Sequence, residues 1–158
     1  MRRLATPTSG STLAGSELPD RPVTVVDSNI IVYLIVEPET TPFAQLWRRL
    51  SRTHQIVMPA LARWEVTNAF YQIGRAGKLS DQAVDSALVA MQQLPIRFDA
   101  GAGDHLRAVH IARQFNVKAA YDPHFLALAE RLECDLWTAD KDLHRSVAPH
   151  LTWVRLVR

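Results

Sequence analysis

Short apolar runs, each parted from the next by a stretch with helical spacing, limit this 158-residue chain more than any other feature in it. Val23-Thr24-Val25-Val26 is β-branched at every position, which suits a central parallel strand covered on both faces. Gln55 to Met58, Ile96 to Phe98, Leu136 to Thr138 and Thr152 to Leu156 follow as further strand candidates. Between them lie helical patterns over Ile30 to Val36, Phe43 to Arg52 and Ala60 to Arg75. Three more follow: one opened by Ser80-Asp81-Gln82 and stopped at Pro95, one over Asp104 to Phe115, and one that Asp122-Pro123 opens and Glu133 closes. On this last helix, Phe125, Leu128, Ala129 and Leu132 form one apolar stripe. Strands separated by helices, and not by two-residue turns, run parallel in one sheet with helices on both faces, which is an α/β fold.

Such a fold needs a sizeable core, and 47% hydrophobic against 22% charged residues supply one at the length of a single domain. Residues 1 to 21 are rich in Ser, Thr, Gly and Pro without an apolar period, so a disordered leader is expected there and the folded domain over 22 to 158. The formal charge of +2 comes without the charge runs of a nucleic-acid-binding tail and decides nothing about partners. The longest apolar stretch, Ile30 to Val36, is too short to span a bilayer, and Met1-Arg2-Arg3 is not followed by the apolar run of a signal peptide. A cytoplasmic protein without a membrane partner is therefore expected. Cys134 is the one cysteine, which rules out an internal disulfide and a cysteine-based zinc site, and its place before a strand suits a small core residue.

The carboxylates carry the chemistry. Asp27 ends the first strand, Asp122 starts a helix, and Asp140 and Asp142 follow the strand at Leu136 to Thr138. In open α/β sheets ligands collect outside the carboxyl ends of strands, so these acids could share one crevice. Each has a plain structural reading too, because an Asp that caps a helix contributes about 0.5 to 2 kcal/mol without any catalytic role. Asp27-Ser28-Asn29 offers three successive capping candidates. Glu65 differs: on its helix Leu61, Ala62, Asn68 and Ala69 occupy the neighbouring turns, so it has no ion-pair partner there. It shares with Asn68 a face beside the apolar stripe. Several carboxylates in one place repel, and their pKa values rise unless a cation is bound.

Three segments, VVDSNIIVYLI at 25–35, PALARWEVTNAF at 59–70 and AAYDPHFLALAERLECDLWTADKDL at 119–143, bring a family into view. In their order and spacing the chain resembles the PIN-domain nucleases, particularly the VapC-type toxins of bacterial toxin-antitoxin pairs, over nearly everything from Val23 onward. The resemblance implies a three-layer α/β/α domain with a central, mainly parallel five-stranded sheet. It further implies an acidic pocket holding Mg²⁺ or Mn²⁺, and hydrolysis of RNA to a 5′-phosphate and a 3′-hydroxyl. Asp27, Glu65, Asp122 and Asp140 fall on the family's acidic positions, with Asp27, Asp122 and Asp140 as the implied metal ligands. Asp142 falls on a further acid near the pocket, and Asn68 and Ser28 on polar positions that could orient a carboxylate or a bound water. Where the family continues after the third acid with a small residue and an aromatic, this chain has Pro123-His124-Phe125, and His124 is expected to face solvent.

Partners follow from the same resemblance: RNA with accessible single-stranded loops, transfer RNA among the candidates, a cognate VapB-like antitoxin, and a second copy in a homodimer. Lys141, between two acids, is the favoured phosphate contact. The other basic candidates, Arg48, Arg49, Arg52, Arg63, Arg75, Lys78, Lys118 and Arg145, read as solvated faces. Trp64 and Tyr121 stand beside Glu65 and Asp122 and are expected in the core, with stacking on an unpaired base as the alternative. Phe43, Leu46 and Trp47 either form the dimer interface or pack on the sheet. Two rivals to a ribonuclease are a non-catalytic PIN-like domain that only binds RNA or protein, and a magnesium phosphohydrolase for small molecules. The latter needs an aspartyl nucleophile and a lysine for phosphate.

Overall fold

A computed structural model describes residues 21–39 and 41–157. The leader expected over 1–21 lies outside these residues except for Arg21. The chain order is β1 (Val23–Val26), α1 (Ser28–Val36), α2 (Thr41–Thr53), β2 (Gln55–Pro59), α3 (Ala62–Arg75), α4 (Asp81–Gln93), β3 (Ile96–Asp99), α5 (Asp104–Gln114), α6 (Asp122–Arg131), β4 (Leu136–Thr138), α7 (Lys141–Val147) and β5 (Val154–Leu156). The five strands form one sheet in the order β3-β2-β1-β4-β5, and every neighbouring pair is parallel. Helices cover both faces in a three-layer α/β/α arrangement. Among the described residues no helix is long and apolar enough to cross a membrane.

The β-branched run takes the centre of the sheet, with Val25 opposite Val57 of β2 on one side and Leu136 of β4 on the other. Val25, Val26, Val57, Met58 and Leu136 are fully buried, as a strand covered by helices on both faces requires. Strand order runs outward from β1 to β3, then resumes at β4 on the opposite side of β1. The carboxyl ends of β1 and β4 therefore flank the point where the order reverses, where an open α/β sheet leaves its crevice.

Helix α6 departs from the single stripe expected of it. Phe125, Leu126, Ala127, Leu128 and Ala129 are all buried in succession, because α6 lies across β1, β2 and β4 while α5 packs over its outer side. It ends with a left-handed residue, Glu133 at φ 50°, whose N–H donates to Glu130 while Cys134 N–H donates to Ala129. Helix α3 begins at Ala62, two residues later than its pattern suggests, because Ala60 N–H donates to the Asp99 carbonyl at 2.8 Å and extends the β2–β3 ladder. Glu65 thus sits in the first turn of α3 and not in mid-helix.

Of the three dimer candidates, Leu46 is buried in the core, and Phe43 and Trp47 are partly buried against it. Phe43 also stacks on Tyr33, with ring centroids 4.7 Å apart. This face of α2 packs against the core, in line with the second of its two readings.

Candidate active site

Four helix N-termini bring the acids together. Asp27 precedes α1, Glu65 lies in the first turn of α3, Asp122 is the first residue of α6, and Asp140 precedes α7. A helix N-terminus carries partial positive charge and favours nearby anions, so the backbone offsets part of the repulsion that four close carboxylates create.

Asp27 is 3% exposed and occupies the N-cap position of α1, yet its side chain makes no capping bond. Its Oδ2 accepts instead from Thr138 Oγ1 at 2.6 Å and Asn29 Nδ2 at 2.8 Å, and its Oδ1 from Ser28 Oγ at 3.4 Å. Two polar residues tie this carboxylate across the β1–β4 boundary. Thr138 Oγ1 also accepts from Asp140 N–H at 2.9 Å, and Asn29 Oδ1 accepts from Ala139 N–H at 3.1 Å. Asp140 does act as a cap: its Oδ1 accepts from the N–H groups of Asp142 at 2.8 Å and Leu143 at 2.9 Å.

Burial pushes the Asp27 carboxyl up to about 6; the Thr138 hydrogen bond opposes this, and the charges of Asp122 and Asp140 add to it. Glu65 is pushed up to about 7, first by burial, against a hydrogen bond from Ser28, and further by the charges of Asp27 and Asp122. Asp122 is raised as well, by burial and then by Asp140. The smaller, charge-based part of these shifts links Asp27 with Asp122 and Asp140, Glu65 with Asp27 and Asp122, and Asp122 with Asp140. Glu65 Oε2 is buried and has no hydrogen-bond partner among the described residues. A buried, unpaired carboxylate oxygen costs more than about 1 kcal/mol unless something pairs with it.

The donor set is all oxygen, which suits a hard divalent cation. Among the described residues no three acidic, histidine or cysteine side chains close into a metal cage. Magnesium keeps several waters and is typically held by a few carboxylates together with substrate phosphate, so it does not require a closed cage. The orphaned Glu65 oxygen and the raised carboxyls are features that a cation would relieve.

Other expected site residues lie apart from the cluster. Asp142 is exposed and pairs with Arg145 at 3.0 Å, one turn along α7. Lys141 is exposed at the start of α7, and Asn68 is exposed one turn beyond Glu65, without a hydrogen bond to the acids among the described residues. His124 is not the solvent-facing residue expected: its Nδ1 lies 2.6 Å from the Ala120 carbonyl and its Nε2 2.9 Å from Nδ1 of His105. Trp64 and Tyr121, expected in the core, are 71% and 66% exposed. The cause is rotational for Trp64, since one residue is about 100° of helix, and Glu65 takes the inward direction. Thr138 and Asn29 went unrecognised as site residues in the sequence. The available signal was a polar residue within two positions of a strand-end acid on each side of the sheet's reversal point.

A PIN domain family model matches residues 24–148. A search of curated protein sequences returns no match. Among solved structures, a chain of the VapBC2 complex from Rickettsia felis bound to a DNA fragment from their promoter is similar, at 14% identity and a TM-score of 0.59 over 79% of this chain and 93% of that one. A chain of a toxin-antitoxin complex from Klebsiella pneumoniae has 18% identity and a TM-score of 0.58, covering 84% of this chain and 95% of its own. PAE2754 from Pyrobaculum aerophilum has 19% identity and a TM-score of 0.57, with 78% of both chains covered. At these identities the likeness is one of fold.

Proposed function

Because the chain belongs to the PIN-domain family, we propose that it is a metal-dependent ribonuclease that hydrolyses phosphodiester bonds, acting in the cytoplasm as the toxin of a VapBC-type pair. The observation that carries this reading is the buried Oε2 of Glu65, without a partner among the described residues, in a group of carboxylates raised first by burial and then by one another's charge. A non-catalytic binding surface has no use for such a cluster.

Asp27, Asp122 and Asp140 would hold Mg²⁺ or Mn²⁺, and Glu65 would face the attacking water. The bound cation supplies charge for the scissile phosphate and lowers the pKa of water beside it. Thr138 and Asn29 orient Asp27, so that its Oδ2 stays fixed while Oδ1 is held only by the long Ser28 contact. Glu65, whose buried Oε2 has no partner among the described residues, would take a proton from the attacking water. Attack of that water on phosphorus in line with O3′ would break the P–O3′ bond, leaving the water's oxygen on the 5′-phosphate, while the departing 3′-oxygen takes a proton from solvent to become the 3′-hydroxyl. Lys141, at the exposed start of α7 next to Asp140, would meet a substrate phosphate.

The toxin assignment draws on the fold shared with chains of toxin-antitoxin complexes. The partner would be a VapB-like antitoxin that places an arginine or lysine among the acids, since a guanidinium pairs with carboxylates where the cation would sit. A homodimer is part of this reading.

The deciding assay incubates the purified protein with end-labelled single-stranded RNA in Mg²⁺, in Mn²⁺ and in EDTA. Metal-dependent cuts with 5′-phosphate ends, lost in Glu65→Gln, are expected. RNA that stays intact in both metals overturns the ribonuclease assignment. Co-purification with the product of the neighbouring gene then tests the toxin reading: a complex that cuts as fast as the free protein, or no complex at all, removes it.

A further inference from the structure

Asp27 and Asp140 are pinned through their own carboxylates, the first by Thr138, Asn29 and Ser28 and the second by the backbone it caps. Asp122 is not. Its carboxylate makes no side-chain hydrogen bond among the described residues, and the shift of its pKa comes from burial and the charge of Asp140 with no hydrogen bond to offset them. Where Asp122 points is therefore set by the backbone that carries it, the turn Ala120-Tyr121-Asp122 at the start of α6. The usual means of securing such a turn are missing here: Tyr121, at the N-cap position, gives no side-chain cap, and Pro123 has no N–H to anchor.

His124 takes over that task. Its backbone N–H donates to the Tyr121 carbonyl at 2.9 Å and its Nδ1 lies 2.6 Å from the Ala120 carbonyl, so one residue grips both carbonyls that precede Asp122. A carbonyl only accepts, which puts the hydrogen of the neutral His124 ring on Nδ1 and leaves Nε2 as an acceptor. Nε2 is 2.9 Å from Nδ1 of His105, the second residue of α5, which must then be the donor. The ring centroids are 5.1 Å apart, close to the contact distance plus a ring radius at either end, so the two nitrogens face each other along one line. That is the geometry of an N–H···N hydrogen bond, whereas two ligands of one metal ion would aim their lone pairs at a common point to one side. His105 stands on a helix that is itself fixed to α6, by Arg107 with Glu130 and by Arg131 with Asp104. The donors thus run one way, from His105 through His124 to Ala120, and end two residues before Asp122.

Resting on the reading of Asp122 as a metal ligand, we propose that His124 is a positioning residue for the metal site, with His105 as the lock on its ring. The Nδ1–H of His124 fixes the Ala120 carbonyl, and with it the direction in which the Asp122 side chain leaves the backbone. His105 is needed because His124 is only partly buried, so packing alone leaves its ring free to turn away. In this role neither histidine meets the metal or the substrate; both act through Asp122.

Amide side chains separate the two ring nitrogens, because Asn can place an N–H where His has Nδ1, and Gln a polar atom where His has Nε2. Binding of Mn²⁺ to the full chain, followed by the electron paramagnetic resonance of the free ion, should weaken about tenfold or more in His124→Ala and His124→Gln, within the range for residues that orient a metal-binding group. His124→Asn should stay within about threefold of wild type, and His105→Ala should show a smaller loss than His124→Ala, about threefold. A merely structural role would instead make affinity follow the melting temperature of the metal-free protein across the series, with no recovery in the Asn variant. Nitrogen-15 NMR of the histidine rings at alkaline pH should find both rings protonated on Nδ1. Unchanged Mn²⁺ affinity in the Ala and Gln variants, an Asn variant as weak as the Ala variant, or a His124 ring protonated on Nε2 each overturns the positioning role. So does a wild type that binds no Mn²⁺, because Asp122 is then no ligand to position. If the wild type binds Mn²⁺ and the variants keep the expected order but no RNA is cut, the ribonuclease reading fails and the positioning role stands.

Discussion

Carboxylates crowd together in two regions of this molecule, and their surroundings are opposite. At the corner of β3, α5 and α6, Asp99 and buried Asp104 receive the guanidinium of Arg131, with Nε and Nη2 each 2.9 Å from an oxygen of Asp104. The two acids raise the Arg131 pKa, as expected of a cation held by both. Gly101 passes so close that a Cβ there would lie 2.6 Å from the Arg131 guanidinium, so the backbone is shaped around the ion pair. At the ends of β1 and β4 the acids instead receive a hydroxyl, an amide and helix N-termini, and three of them are raised by burial and by each other. With Arg97 also paired to Asp99 at 3.1 Å, two guanidinium groups balance the two carboxylates of the first cluster, which is neutralised by the chain itself. The second is left with an excess of negative charge that only something from outside can balance, which separates a structural acid cluster from a reactive one better than a count of acids does.

The contrast breaks most visibly on charge removal. Asp27→Asn and Asp122→Asn should each lower metal-dependent RNA cleavage at least a thousandfold while leaving the far-ultraviolet circular dichroism unchanged. In Asp27→Asn the side-chain amide keeps an oxygen that can still accept from Thr138 and Asn29, so the shape survives and the charge does not. Cleavage within tenfold of wild type in either variant would place the chemistry elsewhere.

Titration sharpens the same contrast through stability. Asp27 sits at about 6 in the folded chain against an ordinary 3.8, so between these values the folded state holds more protons than the unfolded one. The contribution of Asp27 to stability then falls as pH rises through about 4 to 6, the reverse of a salt-bridged acid, and that of Glu65 falls up to about 7. The Asp27 share is on the order of 3 kcal/mol, since each pKa unit corresponds to about 1.4 kcal/mol. In urea titrations without metal, Asp27→Asn should gain on wild type from pH 4.5 to pH 7.5, and added Mg²⁺ or Mn²⁺ should reduce the gap by stabilising the wild type. A constant difference across this range would show that Asp27 is not held in the raised state.

Next in size is Thr138→Val, which keeps the shape of a fully buried residue and removes one oxygen. That oxygen donates to Asp27 and accepts from Asp140 N–H. Residues that orient a metal-binding group typically contribute roughly 10- to 100-fold to affinity or activity, and a loss in that range is expected, with Thr138→Ser recovering most of it. Arg131→Met tests the other cluster. It should lower stability by about 1 to 2 kcal/mol at pH 7, since it leaves Asp104 buried without its partner and Arg131 is itself partly exposed. Cleavage per folded molecule should stay within threefold. A large loss of activity with unchanged stability would join the two clusters into one functional unit.

How much of this was legible follows from which forces are local. The strands and helices announced themselves because periodicity and β-branching act within a few residues, and the parallel sheet followed from the helices between strands. Asp27, Asp122 and Asp140 stand out in the sequence because each lies at a strand end or a helix start, whereas Glu65 was picked out by its missing helical ion-pair partner and by the resemblance, and its place in the first turn of α3 came only with the fold. Thr138 and Asn29 were harder to read: each stands two positions from an acid, but what marks them as site residues is the pairing of Thr138 with Asp27 and Asn29 across 111 and 109 positions, which a local pattern does not carry. Trp64 was misplaced for a related reason. Beside an acid on an amphipathic helix, sequence alone leaves open which of two adjacent residues turns inward, and here the carboxylate does.

The smallest expected effect belongs to Asp142, and it marks where the reactive cluster ends. Its position two residues after Asp140 makes it look like a fifth member. In the fold, however, its carboxylate is exposed and pairs with Arg145 one turn along α7, while its backbone N–H serves the Asp140 cap. An exposed pair of this kind contributes at most a few tenths of a kcal/mol, and Asp142 is not among the charges that raise Asp27, Glu65 or Asp122. Asp142→Asn should therefore leave cleavage within threefold and the melting temperature within about a degree, since the backbone donor that Asp140 needs is kept. Measured beside Asp27→Asn under the same metal concentration, it gives the sharpest internal control available on one helix turn. A loss above a hundredfold would mean that α7 moves its second acid inward when RNA and metal bind, and the boundary between the paired and unpaired carboxylates would have to be redrawn to include it.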